Sequence, residues 1–247
     1  MTSTVKKSPN SNDSAIAAEL MRTNNHYDGE EIILMLEFLR RRIDEGVSSS
    51  EDLIRDCPFS LNSFTKIRYH KNEDGLVYIW PEYIPKTTFD AKIERVQPIF
   101  DHRGSVVDCS YEDKRFTFFD PNPDFNQYKR AVGSTKKIRL AAMATPNIFI
   151  NNSNDPEGDA FTEEEYKEIL KKGYTIEREF PFHYYGAILS VQGQEISKGN
   201  YFKINVINPI DDKSPLELIA SYQEGYEKTE NLTEKISAFF YLTGSLI

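Results

Sequence analysis

Cysteine is scarce in this chain. Cys57 and Cys109 are the only two, and their separation matches no zinc or redox spacing. A disulfide framework and a thiolate metal centre are therefore not expected, and the pair reads as reduced, mostly buried thiols of a cytoplasmic protein. Positive charge is in the minority: 30 Lys and Arg stand against 39 Asp and Glu, a net of −9. That balance argues against a general polyanion binder. Long apolar runs are missing too. No stretch approaches the roughly 20 residues of a membrane span, and Lys6 and Lys7 are followed by no apolar run of a secretory signal. No membrane association is expected, and the expected location is the cytoplasm. The sequence also has no Gly-x-Ser-x-Gly elbow, no phosphate-binding Gly-rich loop and no His-Glu-x-x-His pair. His26, His70 and His183 are isolated from one another. The expectation is a protein without catalytic residues, cofactor or bound metal.

Aromatic residues, by contrast, are plentiful: 16 Phe and 14 Tyr, with 1 Trp. Such side chains fit pleated, half-buried surfaces, which favours a β-rich body. With 28% charged and 39% hydrophobic residues, the chain reads as soluble and globular. Its charge is unevenly spread. Residues 87–150 hold 10 basic and 8 acidic residues, whereas residues 151–247 hold 9 and 17. Only the central segment would tolerate an anionic partner.

The central segment is also the organising stretch, residues 111–144. An aromatic strand pattern, Arg115 to Phe119, is followed by a turn at Asp120-Pro121-Asn122-Pro123-Asp124. A basic, aromatic loop then leads to Gly133 and a second strand over 136–143. These read as neighbouring strands of a small antiparallel barrel. Before them, residues 1–13 are polar enough to be disordered, and Ser14 could cap a short helix over 14–21. A firm helix runs from 29 or 30 to about 45. Ile32, Ile33, Leu36, Phe38, Leu39 and Ile43 form its apolar face, acidic residues open it, Arg40, Arg41 and Arg42 lie near its end, and Gly46 stops it. A short helix capped by Ser48 to Ser50 and a third over 60–67 precede the Asp74-Gly75 turn and a strand over 76–80. Three helices followed by a hairpin resemble a winged helix-turn-helix over residues 30–84.

Beyond Pro81 and Pro85, strand patterns recur over 87–99, 105–111, 114–119, 136–143, 147–151, 183–191, 201–207, 216–222 and 236–242. An acidic loop over 151–159 and an amphipathic helix over 161–172 interrupt them. Two runs of about 60 residues with this rhythm resemble OB-type small barrels. The expected fold is thus α+β. It comprises a tail over 1–28, a helical, winged-helix-like module ending in a hairpin over 29–85, and a small antiparallel β-barrel-like unit over 86–150. An acidic loop and helix linker over 151–173 and a second barrel-like unit over 174–247 complete it.

Candidate sites follow from composition. Taking Gly158 as the sixth position of an EF-hand loop puts Ser153 first, Asp155 third, Glu157 fifth and Glu164 twelfth. Ser in place of Asp, Pro156 in the loop and a strand before it favour a solvated acidic loop. Asp101, His102, Asp108 and Cys109 are metal-capable, but strand alternation sends Asp108 and Cys109 to opposite faces. Arg115, Phe119, Phe125, Tyr128, Lys129, Arg130, Lys136, Lys137 and Arg139 interleave cations with aromatics, as contacts to a single-stranded nucleic acid require. Ser60, Asn62, Ser63, Lys66 and Arg68 could add duplex contacts from the helical module. Trp80, Tyr184, Tyr185, Tyr222 and Tyr226 are the candidate contacts to a protein partner, because Tyr and Trp are enriched at interfaces. The expected function is non-catalytic binding or assembly through protein contacts. The alternative is nucleic-acid binding through residues 115–139.

Overall fold

The computed structural model describes residues 29–58, 66–71, 75, 77–99, 104–121, 125–150, 175–179, 182–196, 201–211, 213–221 and 235–247. The expected tail and helix over 14–21, residues 60–65, the turn at 101–103, the acidic loop and helix over 151–173, and Tyr222 and Tyr226 lie outside them.

Helix α1 (Gly29–Asp44) opens with Glu30 and Glu31 and closes with Arg41 and Arg42, which complements its dipole. Gly46, at φ 89°, stops it. There Val47 N–H donates to Arg42 O (3.1 Å) and Gly46 N–H to Ile43 O (3.0 Å), a Schellman closure that only a residue tolerant of positive φ completes without strain. Helix α2 (Ser50–Leu53) is capped by Ser49, whose hydroxyl accepts from Asp52 N–H at 3.0 Å. The hairpin β1 (Lys66–Lys71) and β2 (Val77–Glu82) follows, antiparallel with Lys66 opposite Glu82. Residues 66 and 67, expected to end a third helix, are therefore strand. Alternation divides the hairpin between two cores. Ile67, Val77 and Ile79 pack with Met35 and Leu39 of α1, while Tyr78 and Trp80 face the other way.

Among the described residues, nine strands build the body. They are β3 (Thr88–Ile99), β4 (Gly104–Tyr111), β5 (Lys114–Asp120), β6 (Thr135–Ile150), β7 (Thr175–Glu179), β8 (Phe182–Ile196), β9 (Tyr201–Ile207), β10 (Pro215–Ser221) and β11 (Lys235–Leu246). A short helix, α3 (Phe125–Ala131), joins β5 to β6. The chain is thus α+β, with few helices among the described residues and a closed five-stranded barrel, β3-β4-β5-β11-β6, plus further strands. The neighbours expected at the centre of the chain need correction. β5 and β6 are not paired, because β11 lies between them, parallel to β5 (Leu242 opposite Phe118) and antiparallel to β6. Nor is pairing wholly antiparallel, since β10 also runs parallel to β6.

A second closed circuit, β8-β9-β10-β6-β11, shares the β6–β11 ribbon with the first. One edge of β11 pairs with β6 throughout; the other meets β8 over Lys235 to Tyr241 and then β5 at Leu242 and Thr243. One edge of β6 likewise meets β3 and then β10. The same connectivity therefore occurs twice. Each half is an antiparallel meander, β3-β4-β5 or β8-β9-β10, followed by a long strand. In each half the first meander strand pairs with its own long strand, and the third runs parallel to the long strand of the other half.

One continuous hydrophobic core spans both circuits, with Phe118, Ile138, Leu140, Val206, Leu218 and Phe240 among its members. A second cluster lies on the outer face of the barrel. There Tyr78 and Trp80 of the hairpin cover Val106, Phe119, Met143 and Tyr241. The hairpin is also tied to the body through Glu217, a buried carboxylate that accepts from Tyr83 OH (3.0 Å) and Lys86 N–H (2.8 Å).

Candidate functional site

The barrel end below α3 holds a cleft. Alternation along β6 sends Ile138, Leu140 and Ala142 into the core. Lys136 has the same parity but lies one step beyond the core, exposed at the barrel mouth. Helix α3 lies across that mouth. Tyr128 and Ala131, three residues apart, are buried against the core, which leaves Gln127 and Arg130 outside. Tyr128 fixes the arrangement. Its hydroxyl donates to Asp120 Oδ2 and accepts from Leu246 N–H, both at 2.7 Å, joining α3 to the ends of β5 and β11. Burial, then the Asp120 charge, pushes its phenol well above the ordinary tyrosine range, so it remains a neutral donor. The last strand continues alongside, with Ile247 N–H donating to Lys137 O at 3.0 Å. The resulting cleft of about 450 Å³ is lined by Gln127, Arg130, Ala131, Lys136, Leu246 and Ile247. Arg130 and Lys136 both line it.

The other predicted cations are arranged differently. Lys129 is exposed on α3. Lys137 and Arg139 have the outward parity of β6, opposite Asp90 and Thr88 of β3. Arg115 is on the outer face of β5, opposite Ser110. That outer face carries a ladder of paired charges. Glu94 accepts from Ser110 Oγ (2.7 Å) and Lys92 Nζ (3.0 Å), and Asp108 accepts from Arg95 Nε (2.7 Å) and Thr117 Oγ1 (2.8 Å). The Ser110 hydrogen bond, then Lys92, with a smaller contribution from Arg115, holds the exposed Glu94 carboxyl below the usual range. The cations of this face thus already have carboxylates beside them. Asp108 and Cys109 do face opposite ways: Cys109 is buried in the core, and its burial raises the thiol far above its ordinary range.

Several predicted aromatic contacts are core residues. Phe119 and Trp80 are buried in the cluster under the hairpin, and Tyr128 in the main core. Tyr185 is also in the main core; its hydroxyl accepts from Thr117 N–H (2.6 Å) and donates to Thr117 O (3.2 Å). None of the four presents a face on which a base or a partner could stack. For Phe119 and Trp80 the reason is that both faces of β2 and of β5 from Phe116 onward are covered; Tyr128 and Tyr185 point into the main core. Phe125 is half-buried. The backbone of Tyr184 pairs in β8, and its side chain lies outside the described residues. Of the duplex candidates, Lys66 is exposed, Arg68 is ion-paired with Glu82 (2.6 Å), and Ser60, Asn62 and Ser63 lie outside the described residues.

The structure adds a surface on α1 that was not expected. Ile33, assigned by periodicity to the buried face, is 56% exposed, and Leu34 is 55% exposed. Phe38 is half-buried, with the Arg41 guanidinium 5.6 Å from its ring centre. The helical wheel could have shown this, since Ile33 and Leu34 lie roughly 100° and 200° from Ile32. Among the described residues no three His, Cys, Asp or Glu side chains are placed to hold a metal ion, and no helix is long and apolar enough to cross a membrane. No known family model matches the chain, and no curated protein is significantly similar to it.

Proposed function

We propose that this protein is a non-catalytic binding or assembly protein that acts through protein–protein contacts. The observation that supports it is the outer face of α1. One side of this helix is fully used against the hairpin, yet Ile33 and Leu34 hold more than half of their surface in solvent beside Phe38. Adjacent apolar side chains on a rigid helix are suitable anchors for a partner groove. Light scattering together with capture from the native host tests this. The wild-type chain is expected to self-associate or to retain a partner in stoichiometric amount, and Ile33→Lys with Leu34→Lys to lose it without change in melting temperature. A strict monomer that retains nothing counts against the reading.

A second reading, single-stranded nucleic-acid binding, draws support from Arg130 and Lys136, which line one cleft at the barrel mouth. The strand order β3-β4-β5-β11-β6, with a short helix joining β5 to β6 along the chain, supports an OB-type interpretation of the barrel. The helix-then-hairpin order supports the winged-helix likeness less, because a wing needs a free hairpin and both faces of this one are covered. Fluorescence anisotropy with single-stranded and duplex oligonucleotides at low and moderate salt tests the reading. Affinity should fall with salt, and Lys136→Glu with Lys137→Glu should abolish it. Absence of binding even at low salt would leave protein contact as the better reading.

A further inference from the structure

We infer that the partner of the outer α1 face is a second copy of this chain, docked helix against helix in antiparallel orientation. This rests on the protein-contact reading above and names its partner. The outward positions of α1 carry one sign of charge at each end. Glu30 and Glu31 are exposed in the first turn, and Arg40 and Arg41 are exposed towards the last. Between them lie Ile33 and Leu34, each more than half exposed, with the exposed Glu37 and the half-buried Phe38. The helix dipole accounts for the charged ends. It does not account for the aliphatic pair between them, whose exposure costs about 25 cal/mol for every Å² left in water.

The face is complementary to itself. Reversing a second α1 about a twofold axis between Met35 and Leu36 sets Glu30 opposite Arg41, Glu31 opposite Arg40 and Ile33 opposite Phe38. Leu34 then lies against the methylene stem of Glu37. Charges at both ends meet their opposites and the apolar side chains meet at the centre, whereas a parallel pair would set Glu on Glu and Arg on Arg. At roughly 100° per residue, Glu30, Leu34, Glu37 and Arg41 fall within about 60° of one another, so one line along the helix carries acid, apolar contact and base. The Arg41 guanidinium, 5.6 Å from the Phe38 ring centre, holds a cation beside the aromatic on that face. Such a contact is isologous, with the same patch on both copies, and closes at two. A helix of 16 residues is about 24 Å long. Its contact is smaller than a standard interface of roughly 1,600 Å², so the dimer is weak and exchanges freely.

Sedimentation equilibrium of the full chain from micromolar to millimolar concentration tests the inference. The wild type should pass from monomer to dimer and no further, more weakly as salt rises. Glu30→Lys with Glu31→Lys, and separately Arg40→Glu with Arg41→Glu, should each weaken the dimer at least tenfold, since like charges then meet at both ends. All four positions are exposed, and the melting temperature of each variant confirms that it is folded. An equimolar mixture of the two variants should dimerise at least as tightly as the wild type, which chains that had failed to fold would not do. The two Glu37 side chains flank the axis, so Glu37→Gln should tighten the pair. A wild-type monomer at millimolar concentration, a dimer that neither charge reversal weakens, or a mixture of folded variants no tighter than either alone overturns the inference. The broader reading is tested separately. If the chain is monomeric yet retains another protein from its host, and Ile33→Lys with Leu34→Lys releases that protein, only the self-pairing falls. If it is monomeric and retains nothing, both fall.

Discussion

Gly244 and Tyr185 show how much rests on single residues where β11 changes partners. Gly244 lies between β6 and β5, and a Cβ there would overlap the Arg139 carbonyl oxygen and press on Leu140 and Phe118. The obstacle is backbone, which cannot swing aside as a flexible side chain would. Gly244→Ala is expected to destabilise the fold by about 3 kcal/mol, read as a lower midpoint in urea. Just before Gly244, between Tyr241 and Leu242, β11 passes from β8 to β5, and the backbone N–H and C=O of Thr117 would be orphaned in the core. The Tyr185 hydroxyl satisfies both. Tyr185→Phe should therefore cost about 2–3 kcal/mol, chiefly from buried groups left unpaired. Burial pushes the Tyr185 phenol up to about 12 from its ordinary 10.0. Its contribution to stability is complete below pH 10 and is lost as pH rises towards 12, because the unfolded chain releases this proton first. Phenolate absorbance during an alkaline titration should thus show a late class of tyrosines that ionises together with the loss of circular dichroism. Ionisation of every tyrosine near pH 10 in a still-folded chain would contradict this.

Among the elements, the β1–β2 hairpin has the most to hold together. Its Ile67, Val77 and Ile79 face α1, and its Tyr78 and Trp80 face the barrel, so it is the wall common to two cores. Trp80→Ala is expected to cost about 3–5 kcal/mol and to free the helical module to unfold before the barrel. A denaturation curve with two transitions by circular dichroism, where the wild type has one, is the observation sought. Strand legibility followed alternation: β4, β5, β9 and β10 agree closely with the apolar pattern, since side chains of one parity enter a core. Helix α3 is hard to recognise in sequence because it has only seven residues, two of them basic. Its signal was the spacing of Phe125, Tyr128 and Ala131. Strand β1 was obscured for the opposite reason, as its pairing with residues 77–82 overrides a local sequence that could also end a helix.

At the scale of the whole molecule, the reciprocal exchange of β6 and β11 has a direct consequence for folding. Neither half can close its own circuit, since each borrows a long strand from the other. A fragment of residues 1–150 should lack cooperative unfolding, and adding a fragment of residues 151–247 should restore it. A fragment 1–150 with a sharp thermal transition of its own would show that the halves are independent.

The amino-acid order alone determined which segments are apolar on alternate residues, where helix α1 begins and ends, and that the centre of the chain is its basic part. Those features are local, written in periodicity, capping and charge. It could not determine that β11 inserts between β5 and β6, because alternation records which side of a strand is buried and not which strand lies beside it. Nor could it separate cations that converge, Arg130 and Lys136, from cations that pair with carboxylates, Arg95 and Lys92. Burial of Phe119, Tyr128, Trp80 and Tyr185 was likewise a tertiary matter. An aromatic is exposed or buried according to what packs against it, and for Phe119 and Trp80 the cover comes from segments tens of residues away.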